Sequence, residues 1–173
     1  IERRYIGWTD QSIIRQVSAD IAFTPNVIYG SDLKRCEETA ACYFTDVPFI
    51  ADAQLRETNF GDFEMKTYDE LKNNSLYRAW IDDPLSVAPP NGESLKAFNA
   101  RILMSFQEVI KGKEEVTFIV HGGVIKAILA KYLNKAFHDV HAAHRVIYTF
   151  VLDGGETCIS YSEAPITVKD NMY

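Results

Sequence analysis

Cysteine is scarce in this chain, long apolar runs are missing, and basic residues never gather into a stripe. The three cysteines, Cys36, Cys42 and Cys158, show no CxxC spacing, and an odd number cannot all pair within one chain. A disulfide framework is therefore not what organises the fold, and a reducing, cytoplasmic setting fits best. They read as small buried apolar residues, with Cys36 and Cys42 on different faces of one helix and Cys158 in a strand. No apolar stretch approaches the roughly 20 residues that span a bilayer. Ile1-Glu2-Arg3-Arg4-Tyr5 carries neither an h-region nor a cleavage pattern, so membrane insertion and secretion are not expected. With a net charge of −6 and no basic stripe, the chain is not expected to bind nucleic acid, because neutralising a phosphate backbone needs one.

What is present fits one substantial core. At 173 residues, 47% apolar and 24% charged, the chain is expected to form a single domain over residues 1–173, without internal repeats or low-complexity tracts. Asn26-Val27-Ile28-Tyr29-Gly30 is short and β-prone, and Ser31-Asp32 leads directly into a helical pattern from Leu33 to Phe44, with Ser31 a candidate N-cap. Val116 to Val120, followed by Val124 to Leu133, repeats that βα pattern. Continuous apolar runs suit strands covered on both faces. The expected class is α/β, a three-layer α/β/α arrangement around a mostly parallel, mixed sheet. Between the two units the spacing predicts a helix over Tyr68 to Trp80, a Pro-rich connection from Asp83-Pro84 to Asn91-Gly92, and a longer helix from Glu93 or Ser94 to Val109. Val146 to Leu152 and Thr157 to Tyr161, around Asp153-Gly154-Gly155-Glu156, read as a hairpin closing the sheet with antiparallel pairing.

Both βα units deliver a polar side chain just beyond a strand's carboxyl end, where open α/β sheets bind ligands. His121 comes from one and Arg35 from the other. Gly122 and Gly123 let backbone approach a ligand closely, and the first amides of the following helix favour an anion. A guanidinium can grip two phosphate oxygens at once, and Glu57 could supply the proton that a leaving alkoxide needs. Taken singly, His121 also reads as structural, Arg35 as a surface helix residue and Glu57 as a solvated loop charge. Their combination carries the functional reading.

Order and spacing then become recognisable. Arg4-Tyr5-Ile6-Gly7-Trp8-Thr9-Asp10; Ile28-Tyr29-Gly30-Ser31-Asp32-Leu33-Lys34-Arg35 with Thr39-Ala40; Leu55-Arg56-Glu57-Thr58-Asn59-Phe60-Gly61-Asp62-Phe63-Glu64; Asn91-Gly92-Glu93-Ser94 with Arg101; and Val120-His121-Gly122-Gly123-Val124-Ile125 follow in turn. Across nearly the whole chain this resembles the histidine phosphatase superfamily, the phosphoglycerate-mutase-like proteins, in its α-ribazole phosphatase and broad-specificity branch. The resemblance implies a phosphomonoester hydrolase with a phosphohistidine intermediate: one His attacks phosphorus, and a carboxyl group protonates the leaving oxygen and then activates water. Residue by residue, Glu57 matches that acid/base, His121 the second His that stabilises the transferring phosphoryl group, and Arg35 a phosphate-gripping Arg. Gly7 matches a backbone contact near the substrate entrance, though it also reads as a simple turn. Gly122 is placed at the substrate through its backbone.

The implied partner is a small-molecule phosphomonoester, with no metal or cofactor, in a monomer or homodimer. The family's Arg-His-Gly segment, which carries the nucleophile, belongs upstream of the stretch matching Arg4 to Asp10 and does not occur in this sequence. About half a dozen family positions also have no counterpart where Thr9-Asp10-Gln11-Ser12-Ile13 runs into Arg15-Gln16-Val17. The expectation is a record of part of a longer chain, lacking its first strand, with unpaired backbone and exposed apolar faces beside Asn26 to Tyr29 and Val116 to Val120. A mutase is less expected than a phosphatase, because the chain is too short for the insertion of the glycolytic mutases. The other readings are a non-catalytic binder of a phosphate ligand and a structural interaction module. Met65 stands where relatives often have Gly, and His138, His141 and His144 fall on a polar segment without an assigned role; a metal site there would have only Asp139 to add.

Overall fold

Short apolar runs around Ile28, Ile50 and Phe118 form three short parallel strands. In the computed structural model, which describes residues 3–14 and 18–169, strand β1 (Ser18–Asp20) pairs antiparallel with β7 (Thr167–Lys169) as a ribbon. Strands β2 (Ile28–Gly30), β3 (Phe49–Ala51) and β4 (Thr117–Ile119) form a parallel sheet in the order β3-β2-β4. Gly30 lies opposite Ile119 in its register, so β2 and β4 end side by side at their carboxyl edges. Arg15-Gln16-Val17 lie outside the described residues.

Alternation along these strands sends side chains to two separate cores. Ile28 and Ile119 face helix α1 (Lys34–Tyr43), where they pack with Ala40 and Phe44. Phe118 and Val120 face the opposite side, against Phe98, Ile102 and Phe106 of α4 (Leu95–Ile110) and Val124, Ala127 and Ile128 of α5 (Gly122–Tyr132). Phe118 stacks on Phe106 with ring centroids 5.1 Å apart. The expected three layers are present, with helices on both faces of the parallel strands. A third cluster joins Phe63, Leu71 and Tyr77 to Tyr5, Phe60 and Trp80, and ties the N-terminal loop to the segment after residue 60.

Local chemistry changes several expected elements. The helix expected over Tyr68 to Trp80 is two helices, α2 (Tyr68–Leu71) and α3 (Ser75–Asp82). Asn74 accepts hydrogen bonds from the Leu76 and Tyr77 amides, so it caps a new helix instead of continuing the old one. Thr67 and Glu70 close a capping box at the start of α2. Ser31 does not cap α1: the helix begins after Leu33, while the buried Ser31 hydroxyl accepts from the Leu33 amide. Ser94 does cap α4.

The hairpin of β5 (Val146–Asp153) and β6 (Thr157–Pro165) forms, but it does not close the sheet. It is a separate two-stranded ribbon among the described residues. Phe150, Leu152 and Cys158 pack it onto the α4–α5 core through side chains alone. The expected unpaired edge beside Asn26 to Tyr29 is also absent, because β2 is paired on both sides. Beside Val116 to Val120 the expectation stands: among the described residues β4 pairs only with β2, and Val116 through Val120 are all half-buried. An inner strand of a parallel sheet would be covered.

Candidate active site

Adjacent strand ends bring the two expected cationic and imidazole groups into contact. Arg35, in the first turn of α1, donates from Nε to Nδ1 of His121 across 3.2 Å. His121 is the N-cap position of α5 and only 7% exposed. Arginine is always a donor here, so Nδ1 is the unprotonated nitrogen and the ring proton sits on Nε2. That nitrogen faces the thiol of Cys36 at 3.5 Å. Burial, reinforced by the Arg35 and Arg101 cations, pushes the His121 pKa down from 6.5 to about 3. The ring is neutral at physiological pH. Burial likewise pushes the Cys36 thiol up to about 12, so it is a neutral thiol under the imidazole.

Glu57 reaches the same helix start. Its Oε2 accepts the Gly123 amide at 2.8 Å, and Oε1 accepts the Thr58 amide at 2.9 Å. A Cβ on Gly123 would fall 2.1 Å from that carboxylate, so glycine allows the approach. The anion expected at the α5 N-terminus is here the protein's own carboxylate. Gly122 is exposed and its Cβ direction is open.

Gly7 completes the cluster. Its carbonyl accepts from Arg35 Nη2 at 2.6 Å, and the Thr9 carbonyl accepts from Nη1 at 2.9 Å. Gly7 itself is buried against Thr58, whose carbonyl would lie 1.8 Å from a Cβ, so the turn admits no side chain. Arg35, Glu57, His121, Gly7 and Gly122 thus converge at one place. Their strongest anion-binding groups are satisfied within the protein, since three of the guanidinium N–H bonds and one helix amide already have acceptors.

The family model for the histidine phosphatase superfamily (branch 1) matches residues 14–159. The chain belongs to that superfamily. Among similar proteins, the adenosylcobalamin/alpha-ribazole phosphatase of Salmonella typhimurium is 30% identical over 109 residues, covering 60% of this chain and 54% of that protein. The 2,3-bisphosphoglycerate-dependent phosphoglycerate mutase 2 of Gloeobacter violaceus is 30% identical over 151 residues, covering 75% of this chain and 68% of that protein. Of solved structures, Bacillus stearothermophilus YhfR superposes with a TM-score of 0.74 at 25% identity, covering 90% of this chain and 86% of that one. The chain spans about half the length of the first curated relatives it matches. The fold of this superfamily member is the phosphoglycerate-mutase-like α/β fold. No helix among its described residues is long and apolar enough to cross a membrane.

Other residues of this histidine phosphatase superfamily chain, present in the quoted motifs without an assigned role, also enter the site. Arg101 of α4 donates to the carbonyls of Gln54, Arg56 and Glu57 and pairs with Glu93, and so holds the Glu57 loop from behind. The Trp8 indole donates to the Glu57 carbonyl at 2.9 Å and lies under the Arg56 guanidinium, 4.9 Å away. Arg56 in turn makes two hydrogen bonds to Asp32, and that bond holds the Asp32 carboxyl below its usual range. Cys36 could be read only as a buried apolar residue, since nothing in the sequence sets it against His121. His138 and Asp139 lie in an exposed turn, and His141 and His144 are exposed loop residues.

Proposed function

We propose that this chain forms the phosphate-binding body of a phosphomonoester hydrolase that works through a phosphohistidine intermediate. One observation carries the reading: Arg35 and His121 meet at 3.2 Å over the carboxyl ends of two adjacent parallel strands, with the Glu57 carboxylate on the next helix amide. A phosphoryl dianion would compete for the same N–H groups. It would take the Gly123 amide from Glu57 and free that carboxyl group to face the leaving oxygen as general acid. Arg35 would grip the non-bridging oxygens with its remaining N–H bonds. His121, neutral when the site is empty, would gain a proton next to the dianion and stabilise charge during transfer. The nucleophilic imidazole would enter on a strand added to the edge of β4 that has no partner among the described residues, beside His121. Alcohol leaves protonated by Glu57, and Glu57 then takes a proton from the water that attacks the phosphohistidine, releasing phosphate.

The substrate class is a small phosphomonoester, α-ribazole 5'-phosphate or a broader range, in keeping with the phosphatase names among the relatives. A second reading, a non-catalytic binder of a phosphate ligand, is favoured by the internal satisfaction of the site.

Incubating the longer form of the protein, with the upstream segment that would carry the nucleophilic histidine, with a phosphomonoester labelled at phosphorus separates these readings. Turnover accompanied by an acid-labile, base-stable protein label is expected for the hydrolase. Phosphate or vanadate binding without turnover would establish the binder instead. Arg35→Ala should weaken that binding at least tenfold, as loss of a charge-assisted contact does. Unchanged binding in both Arg35→Ala and His121→Ala would refute a phosphate site and leave an interaction module.

A further inference from the structure

Glu64 stands outside the residues that would touch phosphate, yet a single carboxylate of this kind rarely collects so many donors. Oε2 accepts from the Gly7 amide at 3.0 Å, the Thr9 amide at 3.2 Å and the Thr9 hydroxyl at 2.7 Å. Oε1 accepts from the Trp8 amide at 2.8 Å and the Phe60 amide at 3.2 Å. All the amides of residues 7–9 therefore point at one side chain. Their carbonyls at 7 and 9 point the other way, onto the two terminal nitrogens of Arg35. The middle residue, Trp8, reaches from the same loop to the Glu57 carbonyl.

We infer that Glu64 is the positioning residue of this site: it fixes the 7–9 loop as a rigid carbonyl fork that aims Arg35 at His121, and through Trp8 it also holds the Glu57 segment. As a role in the same site, it rests on the phosphate-site reading above for its functional consequence. Its structural premise does not.

The physical logic is one of acceptor count. Consecutive amides turned to one side need an acceptor with several lone pairs at that spot, and only a carboxylate offers both oxygens. Among the described residues no other side chain accepts the amides of residues 7–9, so the fork depends on that anchor. Gly7 has no side chain, and a Cβ there would meet Glu64 Oε1 at 2.6 Å as well as the Thr58 carbonyl. Tyr5, in the aromatic cluster with Tyr77 and Trp80, tethers the start of the segment but lies two residues before the fork. Glutamine at position 64 would present an NH2 to at least one of the inward amides. Donor would then face donor, and the loop would have to turn.

The test compares wild type with Glu64→Gln and the milder Thr9→Val, which deletes only the hydroxyl contact. Hydrogen exchange of the Arg35 Nε–H, read by nitrogen-15 NMR without any ligand, is the first readout. Exchange should accelerate at least tenfold in Glu64→Gln and two- to threefold in Thr9→Val, with the amides of α4 and α5 unchanged. Unchanged Nε–H exchange, or equal loss of protection throughout α4 and α5, would overturn the assignment.

Inorganic phosphate affinity is the second readout. It should fall at least fivefold in Glu64→Gln but show no further fall when the change is added to Arg35→Ala. Full additivity of the two changes would overturn it as well. Should wild type bind no phosphate, the phosphate-site reading fails, while Arg35 exchange still decides the role of Glu64.

Discussion

Acid should weaken this fold through one imidazole before any carboxylate contributes. The unfolded chain takes up a proton on His121 near its ordinary 6.5, whereas in the folded protein burial, with Arg35 and Arg101 beside the ring, pushes the pKa down to about 3. The stability from keeping this ring neutral is therefore complete above pH 6.5 and is lost progressively as pH falls towards 3. Each pH unit inside that window costs about 1.4 kcal/mol, and integrating from pH 7 to pH 5 gives about 2 kcal/mol. Asp32 and Glu64, whose carboxyls are held low, begin to lose their contribution only below their unfolded values of 3.8 and 4.5, so a floor of pH 5 excludes them.

Urea unfolding at pH 7 and pH 5 measures the effect. With a slope of about 2 kcal/mol per molar for a domain of this size, the midpoint should fall by about 1 M. His121→Gln keeps an acceptor for the Arg35 Nε–H but cannot titrate, and its midpoint should move by about 1 M less over the same range. An equal shift in the two proteins would show that His121 is not the buried, neutral group described here.

Gly123→Ala should leave thermal stability within about 1 kcal/mol, because alanine suits a helix and the atom it meets is the end of a flexible side chain. It should nonetheless push the Glu57 carboxylate off the helix amide and, in the intact enzyme with its nucleophilic segment, change turnover of a phosphomonoester; unaltered kinetics there would count against Glu57 at this position. In the intact enzyme, with its nucleophilic segment, Glu57→Gln should slow alkyl phosphates by 100-fold or more and p-nitrophenyl phosphate far less, as removal of a general acid does. Equal slowing of both substrates would argue against that role. Met65→Gly should raise Tm by about 2–4 °C, since Met65 sits at φ 62° and relief of a left-handed non-glycine residue yields about 1 kcal/mol. A fall in Tm would mean that the contact between the Met65 sulfur and Gln11 outweighs the strain.

The φ of 62° at Met65 supplies a physical reason for the glycine that the family resemblance leads one to expect there. Elsewhere the sequence was legible where chemistry is local. The βα units ending at Gly30 and Ile119, the Ser94 cap, and the placement of Arg35 and His121 at neighbouring strand ends all follow from apolar runs, short cap residues and motif order. The Tyr68 to Trp80 segment divides for a local reason too, because the Asn74 side chain accepts amides two and three residues on. At the start of α1, by contrast, the Lys34 amide is accepted not by Ser31 but by Asp10, 24 residues away.

By itself, then, the amino-acid order determined the α/β class, the family and the identities of the groups around the candidate site, because these rest on periodicity and on residue types at fixed spacing. Tertiary structure alone decided how those groups spend their hydrogen bonds. Glu57 fills the helix amide, Arg35 is aimed by carbonyls 28 and 26 residues away, and Glu64 gathers amides from 55 to 57 residues away. Such bonds join segments distant in sequence, and no local propensity encodes which acceptor a distant donor will find.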